Sequence, residues 1–332
     1  MLLETHDLTI RYRTPQGDLR AVDGVDLAVP EGEIVGLVGE SGCGKTTLAR
    51  SLIGVMSGNA SIERGQIRFE GRDLVTAGPR AWNDLRWRDV AYIPQSAMNS
   101  LDPVYRVGDQ LIEVLVRRGG MRRAQARERA AELFELVGIE ANRLRDYPHE
   151  FSGGMRQRAA IALALALDPK LVIADEPVTA LDVIVQRQIL DTLNELQKRL
   201  GISVLLVTHD ISVVAYVCDR VAVMYAGKVA EVGPVDTVLG RPVHPYSMGL
   251  MNAFPDLGRA ARTLVPIEGA PPDLHDPPEG CRFAPRCPFV EPRCATRPPL
   301  VPIDEGHAAA CWRHDEDEAL RRQASEVTTW QT

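Results

Sequence analysis

Over its first 240 positions the chain alternates between two hydrophobic patterns. Three short runs are apolar almost without interruption and end in glycine or polar residues: "EIVGLVG" (33–39), "LVIADEP" (171–177) and "ISVLLVTHD" (202–210). Runs of this length and texture predict strands buried on both faces. Between them, "TTLARSLIGV" (46–55) has helical spacing, and "MRRAQARERAAELFELVG" (121–138) reads as an amphipathic helix capped by Gly138. Strands alternating with helices predict an α/β fold with a largely parallel sheet covered on both sides. The longest apolar run, "AAIALALAL" (159–167), spans nine residues, whereas a membrane-spanning helix needs about 20. Beyond about residue 240 the periodic pattern stops, and 14 of the 23 prolines fall within residues 241–302. That texture predicts an irregular appended segment, 241–332, held by something other than regular elements.

Composition narrows the class. With 45% apolar and 25% charged residues the chain has ample material for a globular core, in one to three domains. A formal charge of −7 argues against a general nucleic-acid binder. No basic segment followed by an apolar stretch opens the chain, so a secretory signal is not expected and a cytosolic setting is. Thiols stay reduced there, and a local group of cysteines suggests metal before disulfide. Four of the six cysteines form such a group: Cys281, Cys287, Cys294 and Cys311, separated by five, six and sixteen residues.

The strand ends carry the candidate chemistry. "GESGCGKT" (39–46) fits the phosphate-loop pattern G-x-x-x-x-G-K-[ST] and stands between a strand and a helix. Its glycines let backbone N–H groups turn toward a β-phosphate, Lys45 reaches the β/γ oxygens, and the Thr46 hydroxyl joins a Mg²⁺ shell. "LVIADEP" ends in two acids. Asp175 can hold Mg²⁺ through water, and Glu176 can polarise an attacking water for phosphoryl transfer. His209 follows the third run at the phosphate-binding edge expected of a parallel sheet. In "FSGGMRQRAAIALAL" (151–165), a serine and two glycines open a helix whose N-terminus favours anions. A strand ending in acids or a glycine turn is common on its own; the combination carries the weight.

The order phosphate loop, "PQ" (94–95), "FSGGM", "ADEP", "TALD" (179–182) and "THD" (208–210) resembles the ATP-binding-cassette ATPases over about 230 residues. The resemblance implies a P-loop nucleotide-binding domain over 1–240, with a RecA-like core and a helical subdomain at about 96–165. A small, irregular, Cys-rich C-terminal domain over 241–332 would follow it. It implies ATP and Mg²⁺ as ligands, with ATP bound by Gly39, Ser41, Gly42, Gly44, Lys45, Thr46 and Thr47 and its adenine stacked on Tyr12. Gln95 would join Thr46 and Asp175 at the metal and link that site to a transmembrane partner. Ser152, Gly153 and Gly154 would bind the γ-phosphate of ATP held by an opposite subunit, Asp182 would communicate across that dimer, and His209 would contact the γ-phosphate. Met155 departs from the glutamine of many cassettes without breaking the catalytic set, and Cys43 occupies a variable position.

"VGESGCGKTT" (38–47), "NSLDPVYRVGDQL" (99–111), "HPYSMGL" (244–250) and the cysteine tail together look like one subgroup, the ATPases of oligopeptide and dipeptide importers. That resemblance implies a second, non-identical ATPase subunit, two permease subunits, an extracytoplasmic solute-binding protein, no nucleic acid, and a place at the cytoplasmic face of the membrane. Similar ATPases serve nickel and oligosaccharide importers. Soluble cassette ATPases differ in having tandem domains, long heptad arms or zinc modules, and this chain has one motif set and no heptad run. For the four cysteines, the residues leave free thiols, zinc and an iron–sulfur cluster open. Zinc favours ligand pairs two to four residues apart, closer than any here. Four thiolates suit a 4Fe–4S cluster, with Arg282, Arg286 and Arg293 nearby to offset its charge. Similar tails in the peptide-importer ATPases carry such a cluster, so the resemblance implies 4Fe–4S, with Zn²⁺ the alternative. The cysteines lie far in sequence from the catalytic motifs, which suggests a structural staple.

Overall fold

The computed structural model describes residues 1–252 and 266–330; part of the expected C-terminal segment, 253–265 and 331–332, lies outside them. Packing divides the chain into two compact units.

One unit comprises Met1–Leu2, Val29–Ile34 and Glu70–Val207. Its centre is three parallel strands, with Leu171–Asp175 between Val90–Ile93 and Ser203–Thr208. Every residue of Leu171–Asp175 is buried, Asp175 included. A strand covered on both faces gains about 1.5–3 kcal/mol for each large apolar side chain, and the run "LVIA" helps offset burial of the carboxylate that follows. Helices Val107–Arg117, Arg123–Leu136, Gly153–Ala164 and Val183–Leu200 belong to the same unit. The sequence pattern for 121–138 corresponds to Arg123–Leu136, which buries Ala126, Ala130, Leu133 and Phe134. Gly138 follows it with φ +73°. No helix among the described residues is long and apolar enough to cross a membrane.

The other unit comprises Leu3–Ala28, Val35–Phe69 and Thr208–Thr332. Strand Leu3–Thr14 pairs antiparallel with Ala60–Phe69. The first apolar run forms Ile34–Val38, which pairs parallel with Arg220–Tyr225, and Lys228–Pro234 adds on antiparallel. The C-terminal segment does not stay apart from this sheet. His307–Ala309 pairs with Lys228–Pro234, and Val301–Asp304 pairs with His307–Ala309.

The sequence gives the C-terminal segment little apolar material of its own, and the structure supplies it from the cassette. Tyr246, Met248, Phe283, Phe289, Leu320 and Trp330 are buried in one cluster with Val38, Val221, Val223 and Tyr225. Phe283 meets Tyr225 edge-on at 5.2 Å between ring centroids and lies 5.4 Å from Tyr246. These aromatic contacts lay residues 281–287 beside the strand Arg220–Tyr225.

Candidate nucleotide site and cysteine cavity

The turn from Val38 into helix Lys45–Ser51 is possible because of two glycines. At Gly44, with φ +103°, a Cβ would stand 2.1 Å from the Ala21 carbonyl oxygen. At Gly39 it would stand 2.0 Å from the Met224 carbonyl oxygen. Ser41 and Gly42 form the exposed crest of the loop. The buried Lys45 ammonium donates to the carbonyls of Gly39 at 2.7 Å and Glu40 at 2.9 Å. The cation that would meet phosphate is therefore held inside the loop by the loop's own carbonyls. The Tyr12 hydroxyl lies 3.2 Å from Thr47 Oγ1, which puts the expected adenine platform beside the first turn after the loop. His209 is exposed, between Thr208 at its strand's end and the Asp210 cap of helix Ile211–Val217.

The acid pair belongs to the other unit. Asp175 is fully buried and its Oδ2 accepts from the Tyr92 hydroxyl at 2.8 Å. The next residue turns sharply: Glu176 has φ +49°, and its N–H donates to Val207 O at 2.8 Å. Glu176 Oε2 accepts from Gln95 Nε2 at 2.8 Å and from Thr179 Oγ1 at 3.0 Å. Gln95 thus meets Glu176, the residue that follows Asp175. Thr179, which holds Glu176, opens the "TALD" motif, whereas Tyr92, which holds Asp175, lies outside every motif, three residues before Gln95.

Ser152, Gly153 and Gly154 open helix Gly153–Ala164, and Ser152 Oγ caps it by accepting from Met155 N–H at 3.3 Å. A Cβ on Gly154 would meet Val185 at 2.6 Å, so this position serves close packing against helix Val183–Leu200. Asp182 caps that helix by accepting from Val185 N–H at 3.0 Å.

Cys281, Cys287, Cys294 and Cys311 line one small cavity together with Phe283 and Phe289. Burial raises the thiol of Cys281, pushes that of Cys287 up to about 12 and that of Cys311 up to about 11. Such an environment holds thiols neutral unless a cationic centre compensates the thiolate. Among the described residues no three of His, Cys, Asp and Glu converge closely enough to hold a single metal ion.

The arginines expected to offset a cluster are engaged by carboxylates instead. Arg282 is buried and donates to Asp23 Oδ2 at 2.6 Å and to the Ala226 carbonyl. Burial opposes ionisation of Asp23, but Lys228, Arg282 and Arg297 outweigh it and hold its carboxyl below the usual range. Arg286 grips Glu40 through Nη1–Oε2 at 2.7 Å and Nη2–Oε1 at 3.0 Å. Arg293 pairs with Glu291. Distance in sequence therefore misleads here, because Glu40 is the second residue of the phosphate loop.

Residues 22–179 match the family described as ABC transporter, and residues 230–294 match the oligopeptide/dipeptide transporter C-terminal region. The oligopeptide transport ATP-binding protein OppD of Salmonella typhimurium is 45% identical over 319 residues, 96% of this chain and 95% of that protein. The dipeptide transport ATP-binding protein DppD of Bacillus subtilis is 43% identical over 319 residues, 95% of each. Among solved structures, the dimeric post-hydrolysis state of the ATP-binding cassette MJ0796 bound to ADP and Pi superposes with a TM-score of 0.62. It is 26% identical, covering 70% of this chain and 98% of that one.

Proposed function

This chain belongs to the ATP-binding proteins of the oligopeptide/dipeptide ABC transporters, an ATPase family, and on that premise we propose that it energises import of di- or oligopeptides through a membrane-bound importer. The observation that carries this reading is the 45% identity to an oligopeptide transport ATP-binding protein across 96% of the chain, tail included. Residues 1–240 act as the nucleotide-binding domain, with a helical subdomain at about 96–165, and 241–332 as its C-terminal extension.

Lys45 leaves its loop carbonyls for the β/γ oxygens of ATP, the N–H groups of Gly39, Ser41, Gly42, Gly44, Thr46 and Thr47 surround the phosphates, and Tyr12 stacks on the base. Thr46, Gln95 and Asp175 would hold Mg²⁺, which neutralises charge on the phosphates when bound. The buried Asp175 carboxylate and the Gln95 carboxamide oxygen suit that oxygen-rich ligation. Glu176 orients and polarises the attacking water, and His209 contacts the γ-phosphate. Ser152, Gly153 and Gly154 serve the nucleotide of an opposite ATPase subunit, and Asp182 links the two halves. That subunit is a non-identical relative, and two permeases and an extracytoplasmic solute-binding protein complete the importer at the cytoplasmic face.

Cys281, Cys287, Cys294 and Cys311 would hold a 4Fe–4S cluster, which supplies a four-point covalent staple when bound. Their shared cavity supports this reading. Zinc is the alternative, and its preference for ligand pairs two to four residues apart makes it the poorer match to this spacing.

Reconstituting the chain in lipid vesicles with its permeases and binding protein tests the function. Uptake of a labelled peptide should require ATP and Glu176. Uptake of nickel or an oligosaccharide in place of peptides would refute the cargo and leave the ATPase role standing.

A further inference from the structure

Residues 281–287, "CRFAPRC", present two different faces. Cys281 and Cys287 line the cysteine cavity, while Arg282, Phe283 and Arg286 face the strand and loop that form the phosphate site. Arg286 holds Glu40 bidentately and is itself braced by donation to the Glu268 carbonyl at 2.9 Å and the Ile267 carbonyl at 3.2 Å. The peptide of Glu40 is fixed at both ends. The N–H of the Gly39–Glu40 peptide donates to the Tyr246 hydroxyl at 2.9 Å, and the carbonyl of that same peptide, Gly39 O, accepts from Lys45 at 2.7 Å. Arg282 works at the loop's far end through an intermediary. It donates to the Ala226 carbonyl, and the following residue, Gly227, donates its N–H to the Cys43 carbonyl at 2.8 Å. The tail thus reaches both ends of the phosphate loop.

We propose that Arg286 and Tyr246 are positioning residues of the nucleotide site, by which the C-terminal segment clamps the phosphate loop and sets its affinity for ATP. The proposal rests on the reading of residues 39–46 as the ATP-binding loop. Two physical effects give it direction. Glu40 places a carboxylate one residue from the glycine that begins the phosphate cradle, and Arg286 neutralises it with a geometry lysine cannot copy. The Tyr246 hydroxyl accepts the Glu40 N–H, so the peptide whose carbonyl parks Lys45 keeps one orientation. Neither residue needs to touch nucleotide. Cys281 and Cys287 flank the clamp, and whatever immobilises those sulfurs immobilises the two arginines between them.

Calorimetric titration of the purified full-length chain with ATP tests the clamp. Arg286→Ala should bind ATP about ten-fold more weakly, the scale of one lost charged hydrogen-bonded pair. Arg286→Lys should fall between it and the parent. Adding Glu40→Gln to Arg286→Ala should recover most of the loss, because the exposed carboxylate is then gone; a merely structural role for Arg286 would not respond. Tyr246→Phe removes only the acceptor hydroxyl and should weaken ATP a few-fold. ATP affinity within two-fold of the parent in a folded Arg286→Ala chain, or no recovery in the double variant, overturns the proposal. If Arg286→Ala fails to fold, unchanged affinity in Tyr246→Phe overturns it instead. Lys45→Ala separates the two readings: if it too binds ATP normally, the assignment of the loop has failed and not the clamp alone.

Discussion

Gln95 donates from Nε2 to Glu176 Oε2 at 2.8 Å, so the carboxylate proposed to activate water is held by the residue proposed to sense the membrane partner. Thr179 supports the same oxygen. Replacing the carboxylate by a carboxamide keeps the shape but removes the proton acceptor. Glu176→Gln should bind ATP about as well as the parent, since the binding groups lie at 39–47, and should lower steady-state hydrolysis in the assembled importer by about 10²–10⁴-fold. Near-normal turnover in that complex would falsify the assignment of Glu176.

Ser152 gives a variant with the opposite division of effects. Its hydroxyl caps helix Gly153–Ala164, and losing a cap costs about 1 kcal/mol, too little to unfold the unit. Ser152→Arg also places a bulky side chain where an opposite subunit's γ-phosphate would dock. ATP affinity of the isolated chain should stay within two-fold of the parent, while hydrolysis by the complex should fall by at least about 10²-fold. Full hydrolysis by a chain shown to be monomeric by light scattering would exclude the shared-site arrangement.

The cysteine cavity predicts a visible property. Anaerobically purified protein should be brown and contain about four iron atoms per chain. Cys287→Ser should lose the colour and expose the tail to limited proteolysis. It should also weaken ATP binding, because Arg286 is the preceding residue. A colourless chain with about one zinc atom, or with no metal at all after anaerobic preparation, would remove the cluster. Protease resistance in Cys287→Ser would remove the staple.

The strands and the positions where they end were legible because a parallel strand buried on both faces writes itself as an uninterrupted apolar run. Val38, Asp175 and Thr208 each end such a run in sequence and in structure. The supporting contacts were not legible. Tyr92 and Asp175 are 83 positions apart, and Arg286 and Glu40 are 246 apart, and no local period links such pairs. The tail misled for a related reason. Its prolines signal irregular backbone correctly, yet Tyr246 and Phe283 pack on Tyr225 of the cassette while Phe289 and Trp330 meet each other, so its own composition understates its core. Arg282 and Arg286, beside the cysteines, read as counter-charges for a cluster, whereas their partners, Asp23 and Glu40, come from the first 40 residues.

The buried His244 predicts how the tail responds to acid. Burial pushes its imidazole down to about 4, against the pull of the Glu231 carboxylate. Its Nδ1 accepts from Tyr246 N–H at 3.0 Å, a role the doubly protonated ring cannot fill. In the unfolded chain the ring titrates near the ordinary 6.5. The folded pKa is therefore the lower one, and between pH 6.5 and 4 the unfolded chain takes a proton that the folded chain refuses. Stability from this residue is complete above pH 6.5 and falls as the pH drops, by about 2 kcal/mol at pH 5 and about 3 kcal/mol at pH 4. Denaturant unfolding at pH 7 and pH 5 should show the parent losing about 2 kcal/mol more than His244→Asn, whose amide oxygen can still accept from Tyr246 but does not titrate. An equal loss in the two chains would mean that His244 is not the buried neutral base described here. Because Tyr246 also receives the Glu40 N–H, amide hydrogen exchange at Glu40 should rise in the parent as the pH approaches 4, where the folded ring itself takes up a proton, after correction for the intrinsic rate, and stay flat in the asparagine variant.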